Sequence, residues 1–565
     1  MTIMTQPAPE PRPIEPVRID APARVGSRNT LALLLLFVLL AVFHTWPLAS
    51  APGTLSRHDN SDAVLNEWAV AWVAHQVVRN PLRLFEANIF HPESNTLAFS
   101  EHMFLQGMMG GPLLWAGVST TVVHNLLVIA GFALTGWAMA FVLWRWTGDP
   151  WAAVLGGMLL AFNAHTLSRI AHLQAVHVQF LPFALYALDR LLTLPRVKYA
   201  VGLAGAFVLQ SLASNYLLVF VTFGLTGAAL TRLREWVGPG RMRTFGLLLL
   251  SAGMAILLLA PFLYPYLLAK QQQGLGRSLA EVGTYAASWR DYFAASGRLH
   301  YHTWSGSFAR GPGAFLFPGV TAVLLTVAAI LTGAAWKRPA RLWIGLGLTG
   351  LVLSFGTALP GYGYLYWAVP LLQGIRASVR FGYLVLAAVA ALAAFGLVAL
   401  RSRLAARRRL QVGLSVAALL LVTVEAARVP VGYMPARQVP AVYRYLATEA
   451  DAVVVELPLY SPRRIFQNAP YMLHSTRHWR PLVNGYSGFI PPSYQAHWEA
   501  IRLFPDESAL EYLRGLGVTH VVVHANWFAD VRGEERLQRI PTAPGLQRLV
   551  HGGNMSIYRL LPRGE

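Results

Sequence analysis

Two aspartates, Asp59 and Asp62, stand in the run SRHDNSDAVLNEWAVAWVAHQ, a short way beyond the first long apolar stretch. If a helix starts near Asp59, then Asp59, Asp62 and Asn66 fall at i, i+3 and i+7 on one face. A carboxylate just above a membrane can take a proton from an attacking hydroxyl or hold a divalent cation. The competing reading is capping, because Asp59, Asn60 and Ser61 are all good N-caps. The chain carries 26 acids against 46 Lys and Arg. Two acids this close in so acid-poor a chain favour chemistry for at least one of them, Asp59 before Asp62.

The same segment ends FEANIFHPESNTLAFSEHMFLQG, where Glu101 and His102 follow an aromatic-rich turn. They read as a second acid/base pair or metal ligands, or else as a helix-start Glu and an interfacial His. In NAHTLSRIAHLQAVHVQ, His165, Arg169, His172, Gln174 and His177 crowd between two apolar runs. Charged groups at membrane depth are costly and usually face a cavity, and Arg169 suits a phosphate. Arg376 and Arg380, in LLQGIRASVRFGYL, are at i, i+4. They either snorkel to headgroups or clamp a phosphate. Near the C-terminus, NAPYMLHSTRHWRPLVNGYSGFIPPSYQ holds His478, Asn484 and Tyr486. Aromatic faces beside amide and imidazole groups suit a sugar, and equally suit an ordered loop packed on the rest of the chain.

The elements that must position these residues are mostly apolar. Of the 565 residues, 55% are hydrophobic and 13% charged, where soluble domains carry about 25% charged. Long apolar runs then mean lipid, and the chain is expected to be an α-helical polytopic membrane protein. About eleven spans are expected, near 30–48, 121–144, 150–165, 177–194, 199–214, 216–232, 244–267, 314–335, 341–358, 380–400 and 409–427, counted by the length a span needs. Several are short and read as broken or re-entrant helices. Clusters such as Arg24/Arg28, Arg196/Lys198, Arg232/Arg234, Lys337/Arg338 and Arg401/Arg403 all fall on one side if the spans alternate, and that side is the cytoplasm. The net charge of +20 is therefore a topology signal, with no nucleic-acid partner expected. There is no Cys, which excludes disulfides and thiol chemistry.

Three regions follow: a disordered cytoplasmic tail over 1–28, a membrane part over 29–428, and an extracytoplasmic α/β domain over 429–565. Outer loops are expected at 51–105 and 268–312, and a bacterial inner membrane is the expected location. In the last region DAVVVELPL and VTHVVVH read as strands, ESALEYLRGLG as a helix, and HGGN as a turn before a final strand, MSIYRL.

The arrangement resembles the GT-C superfamily of integral-membrane glycosyltransferases that use polyprenyl-phosphate-linked sugars. The residues that carry the resemblance are HDNSDA after the first span, SDAVLNEW, NIFHPESNTLAFSEHM, RIAHLQ, IRASVRF and VNGYSGFIPPSY. They extend over nearly the whole chain. The resemblance implies a membrane-embedded transferase acting at the outer face. Asp59 would be the catalytic base, with Asp62 second, and Arg376, Arg380 and Arg169 would hold the donor phosphate. Glu101, His102, His172, His478, Asn484 and Tyr486 would serve acid/base or acceptor roles. The implied partners are the lipid-linked sugar, membrane lipid, and a glycan, lipid or protein acceptor. No DxD or Glu-Asp pair of the kind some members use for metal stands in a second loop, so a divalent cation is left open. The competing functions are a non-catalytic envelope-assembly scaffold and a transporter or lipid flippase. A transporter would show ionisable residues at mid-membrane depth and internal repeats, whereas here the ionisable residues gather at the outer ends of spans.

Overall fold

The computed structural model describes residues 22–311, 313–528 and 531–563. Residues 1–21 of the expected tail lie outside this range, and the first helix begins at Ser27. Each of the expected apolar segments holds a helix. Among the described residues, Ser27–His44, Thr120–Thr147, Met242–Gln273, Ser378–Arg403 and Arg408–Ala426 are long and apolar enough to cross a membrane. Val197–Ala213, Asn215–Leu230 and Val320–Leu331 are apolar but shorter.

The expected spans near 150–165 and 177–194 are broken. Pro150–Ala161, with 12 residues, stops at Phe162, at a rise of about 1.5 Å per residue well short of a bilayer's hydrocarbon. Two short helices, Ala164–Ser168 and Leu173–Val176, precede Phe180–Thr193. Asn163 ends the first piece and starts the next. Its Nδ2 donates to Leu160 O at 2.6 Å while its Oδ1 accepts the Thr166 amide at 2.9 Å. The broken connection is the stretch that carries Arg169 and His172.

Small residues let the helices close together, as lipid-embedded helices require. A Cβ added at Gly345 would lie 2.3 Å from Gly227 O, where the helices Arg338–Ser354 and Asn215–Leu230 cross. The opposite case is Met242–Gln273, whose Ile256 and Leu257 are 70% and 74% exposed and present an apolar face outward. Two of the basic residues read as topology signals also brace helix ends. Buried Arg232 pairs with Asp189 at 2.5 Å and with Glu235, and Arg401 meets Asp149 at 2.6 Å.

Beyond the last long helix the chain returns to the segment that follows the first helix. β1 (Leu55–Ser56) and β2 (Met434–Pro435) form a short antiparallel ladder. His58 Nδ1 accepts the Arg437 amide at 2.9 Å, so its Nε2 donates to Glu67 at 2.7 Å. The remainder forms a four-stranded sheet of β3 (Val454–Leu457), β4 (His520–His524), β5 (Leu546–Gly552) and β6 (Met555–Leu560), in the order β3-β4-β6-β5. β3 and β4 are parallel and the other pairs antiparallel. The expected strands and the helix Glu507–Gly515 are present, while β5 and the helices Ala469–Ser475 and Ser493–Ile501 had no clear sequence signal. Backbone bonds join Leu482 N to Asn88 O at 2.8 Å and His91 N to Leu482 O at 2.9 Å, locking this region onto the segment that follows the helix Ser61–Arg79.

Candidate active site

Asn60, not Asp59, caps the helix after the first apolar run. Its Oδ1 accepts the Asp62 amide at 2.9 Å, and the helix runs Ser61–Arg79. The expected i, i+3, i+7 face is corrected accordingly: Asp59 precedes the helix and turns away. It pairs with Arg57 at 2.9 and 3.0 Å, with its side chain 41% exposed. That bond to Arg57 holds the Asp59 carboxyl below the ordinary carboxylate range.

Asp62 sits in the first turn and looks toward the broken connection. Its Oδ1 accepts the Tyr486 hydroxyl at 2.6 Å, and its Oδ2 meets His172 Nε2 at 3.0 Å. One turn on, Asn66 Nδ2 donates to Gln174 Oε1 at 3.0 Å, so two successive turns grip the same segment. Burial works against the charge on Asp62, but His172, Tyr486 and the field of Arg169 outweigh it and hold the carboxyl below its ordinary range. His172 is pushed down to about 4, by burial first and by Arg169 second. Near neutral pH it is therefore a neutral imidazole donating Nε2–H to Asp62, which leaves its buried Nδ1 without a partner.

Gln174, the partner of Asn66, borders a small cleft whose walls also include Glu101, Arg169, Tyr216, Arg380 and Tyr383. Arg169 is 5% exposed. Arg380 lies 4.7 Å above the Tyr216 ring, and Arg376 lies 5.0 Å from the Tyr285 ring. The expected single helical face for Arg376 and Arg380 is not formed. Arg376 is on a bend and Arg380 in the short turn Ser378–Phe381, because the long helix begins only at Gly382. They converge through tertiary packing. Among the described residues no carboxylate pairs with Arg169, Arg376 or Arg380. Burial and the nearby charges of Arg380 and Arg376 lower the proton affinity of Arg169. A guanidinium stays charged in proteins, so an entering anion is the relief for this cluster.

The other expected site residues have different work. Glu101 caps the helix Asn215–Leu230, accepting the Asn215 amide at 2.6 Å and the Ser214 hydroxyl at 3.0 Å. Burial raises its pKa against these bonds. His102 is buried among Phe85, Phe262 and Tyr266, and its Nδ1 accepts the Phe104 amide at 3.0 Å. His478 stacks on Tyr443 with ring centres 5.8 Å apart. Asn484 is fully buried and pins its loop to β3, with both bonds to the Glu456 backbone at 2.8 Å. Two residues further on, that loop delivers Tyr486.

Tyr216 and Tyr383 had no sequence signal, because both sit in apolar surroundings where an aromatic is ordinary core. Arg277 was also missed. It stacks 3.8 Å from the Phe489 ring and bonds Gly488 O, tying the 268–312 segment to the C-terminal region. Among the described residues, the side chains with three converging metal-type donors are Glu456, His474 and His524, all buried in the C-terminal region.

No family model and no curated protein matches the chain. Solved structures resemble it in fold. The crystal structure of the Archaeoglobus fulgidus oligosaccharyltransferase, tethered with an acceptor peptide containing the NVT sequon, is 13% identical with a TM-score of 0.50, over 95% of this chain and 75% of that one. ArnT from Cupriavidus metallidurans bound to undecaprenyl phosphate is 14% identical with a TM-score of 0.48, over 95% of this chain and 99% of that one. Archaeal oligosaccharyltransferase AglB from Archaeoglobus fulgidus, in complex with an inhibitory peptide and a dolichol-phosphate, is 15% identical with a TM-score of 0.47, over 95% and 75%. At 13% identity the likeness to the first of these is one of fold alone.

Proposed function

We propose that this chain is a membrane glycosyltransferase that moves a sugar from a polyprenyl-phosphate-linked donor to an acceptor at the outer face of the membrane. The observation that carries the reading is that Asp62 lies in the field of Arg169, which also feels Arg380 and Arg376, and that none of these arginines forms an ion pair among the described residues. A phosphate-bearing lipid supplies the anion such a cluster attracts. Arg376 and Arg380 flank a long apolar helix, so a headgroup can reach them while its chain stays in lipid.

In the step itself, an acceptor oxygen attacks the anomeric carbon and forms the new glycosidic bond. The bond from that carbon to the phosphate oxygen breaks, and its electron pair leaves with the lipid phosphate. Arg169, Arg376 and Arg380 stabilise the charge gathering there. Asp62 takes the acceptor proton. His172 donates to one oxygen of Asp62 and Tyr486 to the other, and so both aim it. The base thus moves from Asp59, which faces solvent beside Arg57, to Asp62.

In this reading about eleven apolar segments, two of them broken, are embedded in a bacterial inner membrane, with the N-terminus inside and 429–565 outside as an α/β domain. A reporter fused after Glu565 that is active only in the cytoplasm would overturn that topology. The function is tested in proteoliposomes supplied with polyprenyl-phosphate sugars, by following release of polyprenyl phosphate. Release by the wild type and its loss in a folded Asp62→Asn protein are expected. Equal release by both sinks the assignment of the base, and no binding of any polyprenyl phosphate by the wild type sinks the donor class. A scaffold without catalysis would show the second result.

A further inference from the structure

Far along the chain from the cleft residues of the membrane part, the C-terminal region gathers a second set of chemistry-bearing side chains. Glu456 comes from β3, His474 from the helix Ala469–Ser475, and His524 from β4. Their exposures are 0%, 5% and 4%, and one donor atom from each lies within 4.8 Å of the others. His524 Nε2 is 2.5 Å from Glu456 Oε2. The hydroxyl of buried Tyr443 touches all three, at 2.6 Å from Glu456 Oε2, 3.1 Å from His474 Nδ1 and 3.3 Å from His524 Nε2. Trp527 closes one side, stacked at 4.3 Å on the His524 ring.

Hydrogen bonding alone does not satisfy this cluster. Tyr443 and His524 can both donate to Glu456 Oε2, and His474 can donate to Tyr443, but Glu456 Oε1 is buried with no partner. A buried carboxylate oxygen without a donor costs at least about 1–3 kcal/mol. An acid with two imidazoles, drawn from three separate elements and walled by aromatics, is a nitrogen and oxygen donor set of the kind zinc takes.

We propose that Glu456, His474 and His524 bind a divalent transition-metal cation of the zinc class, with Tyr443 as the fourth neighbour. Zinc lies about 2.1 Å from N and O donors, which for a tetrahedral arrangement places those donors about 3.4 Å apart. The Glu456–His524 pair therefore opens and the widest pair closes, which needs only side-chain rotation. His474 Nδ1 and His524 Nε2 release any protons they hold on binding, since only the unprotonated imidazole ligates. The bound cation joins β3, β4 and the Ala469–Ser475 helix. Asn484 hangs from the backbone of Glu456, so the cation also fixes the base of the loop that carries Tyr486. The role is structural, and it stands whether or not the chain transfers sugars.

The test uses the full-length protein in detergent with any affinity tag removed. It is stripped with a chelator, re-equilibrated with zinc, passed over a sizing column and assayed for metal by mass spectrometry. About one zinc per chain is expected, with a melting temperature lowered by the chelator, restored by zinc and not by magnesium. Cobalt in place of zinc should give the visible absorption of a tetrahedral, nitrogen-ligated ion. Glu456→Gln and His524→Asn should each weaken zinc retention at least about tenfold, while His551→Gln, at an exposed histidine away from the cluster, should keep it. If the variants fail to fold, the wild-type metal content and cobalt spectrum decide. The proposal is overturned if the stripped wild type takes up no zinc and its melting temperature ignores it. Folded Glu456→Gln and His524→Asn proteins that hold zinc as the wild type does would overturn it equally.

Discussion

The Tyr486 hydroxyl donates to Asp62 across 2.6 Å, although 424 residues separate them. The contact joins the C-terminal sheet region to the helix Ser61–Arg79 at the carboxylate proposed as the base. Burial and the adjacent Asp62 charge raise the Tyr486 pKa, so it remains a proton donor to that carboxylate. Removing the donor takes away part of what stabilises the ionised acid, and the Asp62 pKa then rises. Tyr486→Phe should slow transfer by about one order of magnitude, in line with the ~1.5 kcal/mol of a hydrogen bond to a charged group. The acid limb of the pH–rate profile should move to higher pH. An unmoved profile would remove Tyr486 from the site.

The two aspartates should separate cleanly. Loss of a general base costs about two to four orders of magnitude, so Asp62→Asn should nearly abolish transfer while the protein still inserts. Asp59→Asn breaks only a partly exposed pair with Arg57 and should cost less than about 1 kcal/mol of stability. Transfer rates and melting temperatures of the two variants check this. Wild-type rates for Asp62→Asn would return the base to another residue.

Lysine cannot reproduce a two-pronged guanidinium contact with phosphate. Arg169→Lys, Arg376→Lys and Arg380→Lys should each weaken binding of a polyprenyl phosphate by about one to two orders of magnitude, corresponding to ~1.5–3 kcal/mol per charge-assisted contact. Exposed Arg338 is the suitable control, and Arg338→Lys should bind as the wild type does. Arg401 is unsuitable, because its bond to Asp149 and its contacts with Ser415 and Gln411 make it part of the helix packing. If all three outer variants bind normally, the arginines are membrane anchors.

Acid should destabilise the fold through His172. Burial and Arg169 hold its pKa at about 4, below the ordinary imidazole value of about 6.5. Between those values the unfolded chain binds the proton and the folded chain does not. Stability therefore rises with pH through that window, is complete above it, and falls as pH drops toward about 4. The contribution is at most roughly 3 kcal/mol for a shift of this size. Unfolding midpoints across that window should show a shallower slope for His172→Gln than for the wild type. Equal slopes would mean that His172 is not held neutral.

Glu101 should prove structural. Its carboxylate satisfies the first amides of the Asn215–Leu230 helix, and a lost cap costs about 0.5–2 kcal/mol. Glu101→Ala is expected to lower the melting temperature and to leave polyprenyl-phosphate affinity within about threefold, a change smaller than ~1 kcal/mol. A selective loss of affinity without loss of stability would place Glu101 in the donor site.

The apolar helices were legible because long apolar runs are local signals, set by the insolubility of unpaired backbone groups in lipid. The GT-C resemblance likewise rests on short motifs. Val454–Leu457 and His520–His524 could be read as strands from unbroken β-branched runs. Arg169, Arg376 and Arg380 could be singled out because they stand apart from the basic clusters read as topology signals. Which aspartate turns inward was not legible. Asp59, Asn60 and Ser61 can all cap, and the choice of Asn60 throws Asp59 out to Arg57 and turns Asp62 inward. Nor could sequence spacing join Arg376 and Arg380, since the turn at Ser378–Phe381 replaces the helix that would have aligned them. The meeting of Asp62, His172 and Tyr486, and that of Glu456, His474 and His524, depends on elements far apart in the chain. Local propensity carries no information about such pairs; they exist only because helices and sheet pack in one arrangement, and only the tertiary structure decided them.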